Sequence, residues 1–446
     1  NGGPSAACRR LRGIGRQARD YGNRAVGWRP VGQGGVDPVQ HVAPHCLKGR
    51  GVVVGPGSAE GIALALHPDQ AGHMAAGGLA QCGDGGGCQL VGQFATGMFS
   101  HTLLMGAEYG HQDTTNARRD AFFAASEDDQ VTFMFTDPLI VPDMTLTNPV
   151  RDRVSDVTFT SAFFQDEVAI TDNWIVVAGL RYDDFDIDVT DYVAADAGSQ
   201  SRFSSADTEV SPRVGLIYKP VDALSFYVSY SKSFLPRSGD QFLTLTLDTQ
   251  ALDAEEFENK EAGVKWNISD SLNLTAAAFR VERENGTTTD PSNPERSILT
   301  GTRTDGFEIQ LNGEVLNSWH INAGYSHLDG GEMGRVDNNQ IANRELAQLP
   351  EHMVSLWNQL TLAPAWRAGI GLIYQSEQFA SLSNSVVLPS FTRVDAAVYY
   401  DYSDKLKFQL NVENLFDTDY FPSAHNDNNI ATGEPLNARL SMQYQF

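Results

Sequence analysis

No run of apolar residues approaches the roughly 18–20 needed for a membrane helix, and the mean hydropathy is −0.29. Positive charge is scarce: 32 Lys and Arg stand against 56 Asp and Glu, a net of −24. That excludes a nucleic-acid partner, which requires a basic footprint. Cysteine is confined to Cys8, Cys46, Cys82 and Cys88; a disulfide-built secreted fold would spread its cysteines through the chain. There is no GxSxG, no HExxH and no nucleophile–His–acid set that spacing could bring together, so no catalytic residue, no metal site and no enzymatic activity are expected. The missing apolar helix leaves a membrane β-barrel open, because barrel strands bury only alternate residues and look soluble on average.

A second absence divides the chain. Before residue 94 there is no Thr, no Phe and a single Lys, Lys48, whereas Gly, Ala, Pro, Arg, His and Cys abound. Nine basic and five acidic residues lie there, against 23 and 51 in the remainder. Neither a 3.6-residue nor a two-residue period is sustained. Residues 1–93 are therefore expected to be irregular. Three readings are open: a small domain, a disordered arm, and out-of-frame translation of GC-rich codons, the last being favoured. "VVVGPGSAEG" brings Gly55, Gly57 and Gly61 together but lacks the Lys-Ser/Thr ending of a phosphate loop. His41, His45 and Cys46 with Cys82 and Cys88 match no tight zinc spacing. Residue 1 is Asn, which suggests a processed chain or a fragment.

From about Phe99 a two-residue period takes over. "LSFYVSYSKSF" sets Leu224, Phe226, Val228 and Tyr230 against Ser225, Tyr227, Ser229 and Ser231. "LKFQLNVENLF" sets Leu406, Phe408, Leu410 and Val412 against Lys407, Gln409, Asn411 and Glu413. "WRAGIGLIYQ" and "TRVDAAVYYDY" repeat the pattern. Successive strand side chains point to opposite faces, so each segment has one apolar and one polar face. About fourteen such strands, most about ten residues long, are the length of a tilted membrane strand and longer than the usual soluble one.

Connections alternate in length. Short turns fall near residues 171–173, 220–223, 269–271, 316–318, 363–365 and 403–405. Long polar stretches fill 110–155, 186–207, 235–255, 285–302, 329–351, 376–390 and 416–436. A meander with tight turns at one end and long loops at the other is the layout of an outer-membrane barrel; a β-sandwich has no reason to sort its loops this way. The expected fold is thus all-β: a transmembrane antiparallel up-and-down β-barrel over residues 94–446. The ending fits. Leu440, Met442, Tyr444 and Phe446 share one face, and a closing strand needs a lipid-facing apolar side with an aromatic at the interface. These four residues are assigned as the membrane-assembly signal.

Six phrases, "SPRVGLIYKP", "SYSKSFLP", "RTDGFEIQLNG", "WRAGIGLIYQSEQFA", "FTRVDAAVYY" and "LNVENLFDTDYFPSA", resemble in order the C-terminal barrel of TonB-dependent siderophore receptors. The resemblance implies a 22-strand barrel in the bacterial outer membrane, filled by an N-terminal plug and driven by the TonB–ExbB–ExbD complex. It implies a ferric siderophore as transported ligand, no covalently bound cofactor, surrounding outer-membrane lipid and lipopolysaccharide, and a monomer. No TonB box or plug is recognisable here, and roughly eight strands would be missing. The expected function is that of a receptor fragment for ferric siderophore uptake. The alternatives are a passive porin or substrate channel, should fourteen strands close by themselves, and a soluble or surface adhesion protein, should the aromatics pack into a sandwich core.

Ligand contact is expected near the outer rim from Gln375, Gln378, Phe379, Tyr420 and His425, where amides can hydrogen-bond a chelate and aromatics can stack on it. Asp184, Asp186, Asp188, Asp191 and Asp196 read as a solvated acidic loop or as a cation bridge to lipopolysaccharide; Val189 and Ala195 stand where a calcium loop needs Gly and Glu. His320, His327 and His352 fall at strand ends and read as interface or lumen residues rather than ligands. "NVENLFDTDY" reads as structural.

Overall fold

The computed structural model describes residues 77–82, 86–123, 143–237, 242–290, 293–333 and 344–446. The rest, including nearly all of the stretch read as out of frame, lies outside the described residues. One antiparallel sheet dominates. Its strands are β1 (Gly77–Cys82), β2 (Gly87–Thr96), β3 (Phe99–Phe123), β4 (Met144–Ala169), β5 (Trp174–Asp191), β6 (Arg202–Val221), β7 (Leu224–Leu235), β8 (Glu255–Ser269), β9 (Leu272–Asp290), β10 (Asn293–Leu316), β11 (Trp319–Met333), β12 (His352–Ala363) and β13 (Trp366–Gln375), then β16 (Phe391–Asp401), β17 (Leu406–Glu413) and β20 (Asn437–Tyr444). Each pairs with its neighbour in that order. Two small hairpins, β14 (Gln378–Phe379) with β15 (Val387–Leu388) and β18 (Ser423–Asn426) with β19 (Asn429–Ala431), sit in the last two long loops.

From Phe99 onward the sheet holds fourteen strands, as the alternation implies, and the short turns read from the sequence all lie at one end. Two expectations change. First, strand pairing begins before residue 94: β2 is in register with β3 along its whole length, and β1 pairs with β2. A backbone ladder needs no Thr or Phe, and "CQLVGQF" already alternates. Secondly, much of the sequence read as loop is strand. β3 and β4 run to 25 and 26 residues, and β9 and β10 are separated only by residues 291–292. Where both faces of a strand are wet the apolar alternation disappears while the hydrogen-bond ladder continues. The fourteen strands do not close on themselves among the described residues, as the reading of a partial barrel expects. β3 pairs with β2 and β4, and β20 pairs with β17 alone among the described residues. The sheet has two ends, as a part of a larger barrel would.

Register carries one apolar row across the sheet. Leu216 faces Val228, Val264 faces Ala276, and Ala276 faces Ile309. Ile370 faces Ala396, Val398 faces Leu410, and Leu410 faces Leu440. Val214, Val228, Ile309, Ile370 and Leu440 are all exposed. At the short-turn end aromatics stack on this face, Trp174 on Tyr218 at 4.5 Å and Trp366 on Tyr400 at 4.3 Å between ring centroids. On the other face Trp357 lies across Gly369 and Gly371, where any Cβ would come within 2.3–2.4 Å of its ring atoms. The glycines of "RAGIGL" thus mark close packing.

Candidate ligand-facing surface

The polar face carries charge in matched pairs. Arg181 donates to Glu108 at 2.8 Å and to Asp183 at 2.9 Å, and the buried Asp183 also accepts from the Ser161 hydroxyl. Arg153 donates to Asp191 at 2.7 Å. Asp191 also caps the five-residue helix α1 (Tyr192–Asp196) by accepting from the Ala194 amide.

Three loops fold over this face. Residues 242–254 follow β7. Leu245 is fully buried among Val157, Ile187, Val189 and Phe203, the polar-face residues of the upper β4, β5 and β6, and Phe242 packs beside them. Arg153 donates to the Leu243 carbonyl at 3.0 Å. At the base of the loop Arg237 donates to the carbonyls of Asn285, at 2.6 Å, and of Asp253. Its guanidinium stands 3.6 Å from Glu255, which also takes 2.8 Å and 2.5 Å bonds from Arg283. Burial lowers the pKa of Arg237, and the carboxylates around it oppose that shift. Asp207, on the same wall, has its pKa raised, first by burial and further by the charge of Asp253.

The second unit is the cap over β11–β20. Ala380, Leu388 and Ala424 form its core with Val386, Phe421 and Ile430. Asn414, with φ 52°, organises the last loop. Its side chain donates to the Thr418 and Glu434 carbonyls and accepts from the Thr418 amide, and its own amide donates to Asp395. Asp417 accepts from the Leu436 amide at 2.8 Å. These bonds give "NVENLFDTDY" its structural role.

The expected ligand residues divide. Tyr420 is buried, its ring tilted against that of Phe391 with centroids 4.7 Å apart, and its hydroxyl accepts from Arg393 at 3.0 Å. Gln378 is buried and donates to the Pro422 carbonyl at 3.1 Å. Phe379 is half-buried in β14, where its carbonyl accepts from the Gln348 amide. Gln375 ends β13 opposite Phe391 and is half-buried, and His425 stands exposed on β18. The cap thus gathers Gln378, Phe379 and Tyr420; His425 lies on its outer hairpin. Sequence reasoning missed the arginines, Arg153, Arg181, Arg237 and Arg393. The signal was present as Arg and Asp at polar-face positions of paired strands, but which carboxylate meets which guanidinium depends on register.

Comparison with known proteins gives the lineage. Residues 80–415 match the family described as TonB dependent receptor-like, beta-barrel. The chain belongs to that family. It is 29% identical over 386 residues to the probable TonB-dependent siderophore receptor PiuA of Acinetobacter baumannii, covering 80% of this chain and 52% of that protein. It is 29% identical over 371 residues to the metal-pseudopaline receptor CntO of Pseudomonas aeruginosa, covering 80% and 50%. The crystal structure of PiuA superposes with a TM-score of 0.71 at 27% identity, covering 80% of this chain and 55% of that one. The chain therefore spans about half the length of the curated relatives it matches.

Barrels of this family span the bacterial outer membrane, and this chain's location follows. The apolar face of the TonB-dependent receptor sheet is its lipid face, the polar face lines the lumen, the short turns are periplasmic and the folded loops are extracellular. Leu440, Met442 and Tyr444 lie exposed on the lipid face of β20, with Phe446 just beyond it. Asn411 lies on the lumen face and accepts from Gln409 at 2.8 Å.

Proposed function

We propose that the chain supplies the C-terminal wall and extracellular loops of a receptor that takes up a ferric siderophore. Support comes from the relatives, named as siderophore and metal-pseudopaline receptors, and above all from one observation: extracellular loops are folded down onto the lumen face, one through Leu245 and another through Tyr420 on Phe391 and Arg393, rather than splayed outward. Folded loops over a lined lumen suit capture of a discrete ligand. A diffusion pore is better served by an open mouth and a closed ring of strands.

In this reading Gln375, Phe379 and His425 offer ligand contact, while Gln378 and Tyr420 hold the cap in shape. The ferric chelate is cargo; no covalent cofactor takes part and no reaction is catalysed. The complete protein works as a monomer in lipid and lipopolysaccharide and is driven by the TonB complex through an N-terminal plug.

The test is uptake of iron-labelled siderophores by iron-starved cells lacking their own receptors, complemented with the complete gene. Catecholate, hydroxamate and citrate chelates are compared with and without TonB. Uptake that needs TonB and saturates for one class supports the receptor. Uptake that persists without TonB and tracks solute size establishes the passive channel instead.

A further inference from the structure

Two histidines meet on the lipid face at the extracellular edge of the apolar band. His327 on β11 stands directly opposite His352 on β12, one step beyond the Tyr325–Val354 pair. Their rings stack with centroids 4.9 Å apart. Oε1 of Glu351 lies 3.7 Å from Nδ1 of His327 and 3.6 Å from Nε2 of His352. Both separations exceed hydrogen-bond length, so the carboxylate sits between the imidazoles and accepts from neither. Nδ1 of His327 is shut off from solvent and has no hydrogen-bond partner.

We propose that His327, Glu351 and His352 form a binding site for a divalent transition-metal ion of the zinc type. Three ligand atoms, one from each residue, lie within 4.8 Å of one another. Zinc held at its usual distances to nitrogen and oxygen separates adjacent tetrahedral ligand atoms by about 3.3–3.4 Å. Glu351 is already within a few tenths of an ångström of that spacing from each imidazole. Two imidazoles and one carboxylate are donors that zinc and its late first-row neighbours accept, whereas magnesium and calcium prefer oxygen alone.

The surroundings pre-arrange the set. The Tyr325 hydroxyl is hydrogen-bonded to Nδ1 of His352 at 3.0 Å, which orients that ring and leaves Nε2 toward Glu351. The ring of Phe307 packs 5.6 Å from that of His327. The Glu351 carbonyl accepts from the Leu328 amide at 2.9 Å, and the His352 amide and carbonyl both bond Ser376, so neighbouring strands hold the backbone of the ligands. Glu351 is exposed, leaving a fourth position open to water. The site lies on the opposite face of the sheet from the lumen and off any path through it. Its effect is to clip the segment entering β12 onto β11 where the wall leaves the membrane.

The experiment uses the full chain in detergent micelles. Zinc affinity is measured by competition with a chromogenic chelator, and cobalt binding by its visible absorbance. The wild type is compared with His327→Ala, His352→Ala and the double variant, with His320→Ala as control. One zinc equivalent is expected to weaken at least tenfold in each single variant and vanish in the double variant, with the control unchanged. A wild type without zinc affinity, or a double variant that keeps the same stoichiometry and affinity, overturns the site. If a variant loses its heat-modifiable mobility on gels, the wild type is probed alone. Zinc must then shield His327 and His352 from diethylpyrocarbonate, located by mass spectrometry; equal labelling with and without zinc also overturns it.

Discussion

The two flanks of the sheet build their extracellular parts differently. β3 to β6 rise as strands of 18 to 26 residues. β12, β13, β16, β17 and β20 have only 8 to 12. A membrane crossing takes about ten residues, so the first flank extends its ladder far beyond the bilayer while the second stops near it. The long flank uses its wall as a surface, and Leu245 of one loop docks into Val157, Ile187, Val189 and Phe203. The short flank has no such wall, and its loops make their own core from Ala380, Leu388 and Ala424. Outside the lipid, apolar side chains must find partners in protein. A tall sheet and a folded cap are two ways of meeting the same demand.

That contrast can be broken. The largest effect is expected from Arg237→Ala, which empties a buried site, leaves Glu255 with Arg283 as its partner and removes the bonds to Asn285 and Asp253. Breaking a buried pair costs about 3–5 kcal/mol. Residues 242–254 should become cleavable by protease while the heat-modifiable mobility of the sheet persists; an uncleaved loop would show that Leu245 suffices as an anchor. Asn414→Ala comes next. It leaves two carbonyls and an amide without their side-chain partner, at about 1–3 kcal/mol for each group that water does not reach, and amide exchange over 414–436 should speed up with no change at 242–254.

Leu245→Ala and Leu388→Ala sharpen the comparison. Each empties a fully buried site, at about 2–5 kcal/mol. Because the clusters share no residue, the double variant should show additive losses by urea titration of loop protection. A coupling above about 0.5 kcal/mol would mean that the flanks communicate.

The smallest effect concerns pH. Asp207 has a raised pKa in the folded protein, mainly through burial, so its protonated form is the one favoured by folding. Its contribution is fully present below the ordinary aspartate value and fades as pH rises through the raised one. Protection of 242–254 should therefore decline slightly from mildly acidic to neutral pH, and Asp207→Asn should flatten that slope.

Much of the fold could be read from residues alone, because lipid is a demanding solvent. It requires alternation, as in "LSFYVSYSKSF" and "LKFQLNVENLF", and leaves tight turns at one end. The fourteen strands from Phe99 and the lipid face of Leu440, Met442 and Tyr444 followed from those constraints, whereas the family came from the resemblance of six phrases. "GHQDTTNARRD", by contrast, carries no alternation and is nonetheless strand in β3, because a wet ladder asks nothing of its side chains.

What the sequence by itself determined is the membrane band: which residues face lipid, how many strands follow Phe99, and on which side the long connections emerge. Only tertiary structure decided how high each strand rises, that Leu245 enters the wall and Tyr420 locks under the cap, and that His327 meets His352 with Glu351 between them. The physical reason is reach. Alternation is a property of adjacent residues, whereas an ion pair, a cavity filled by a loop or a cluster of ligands depends on register between strands far apart in the chain, which no local pattern encodes.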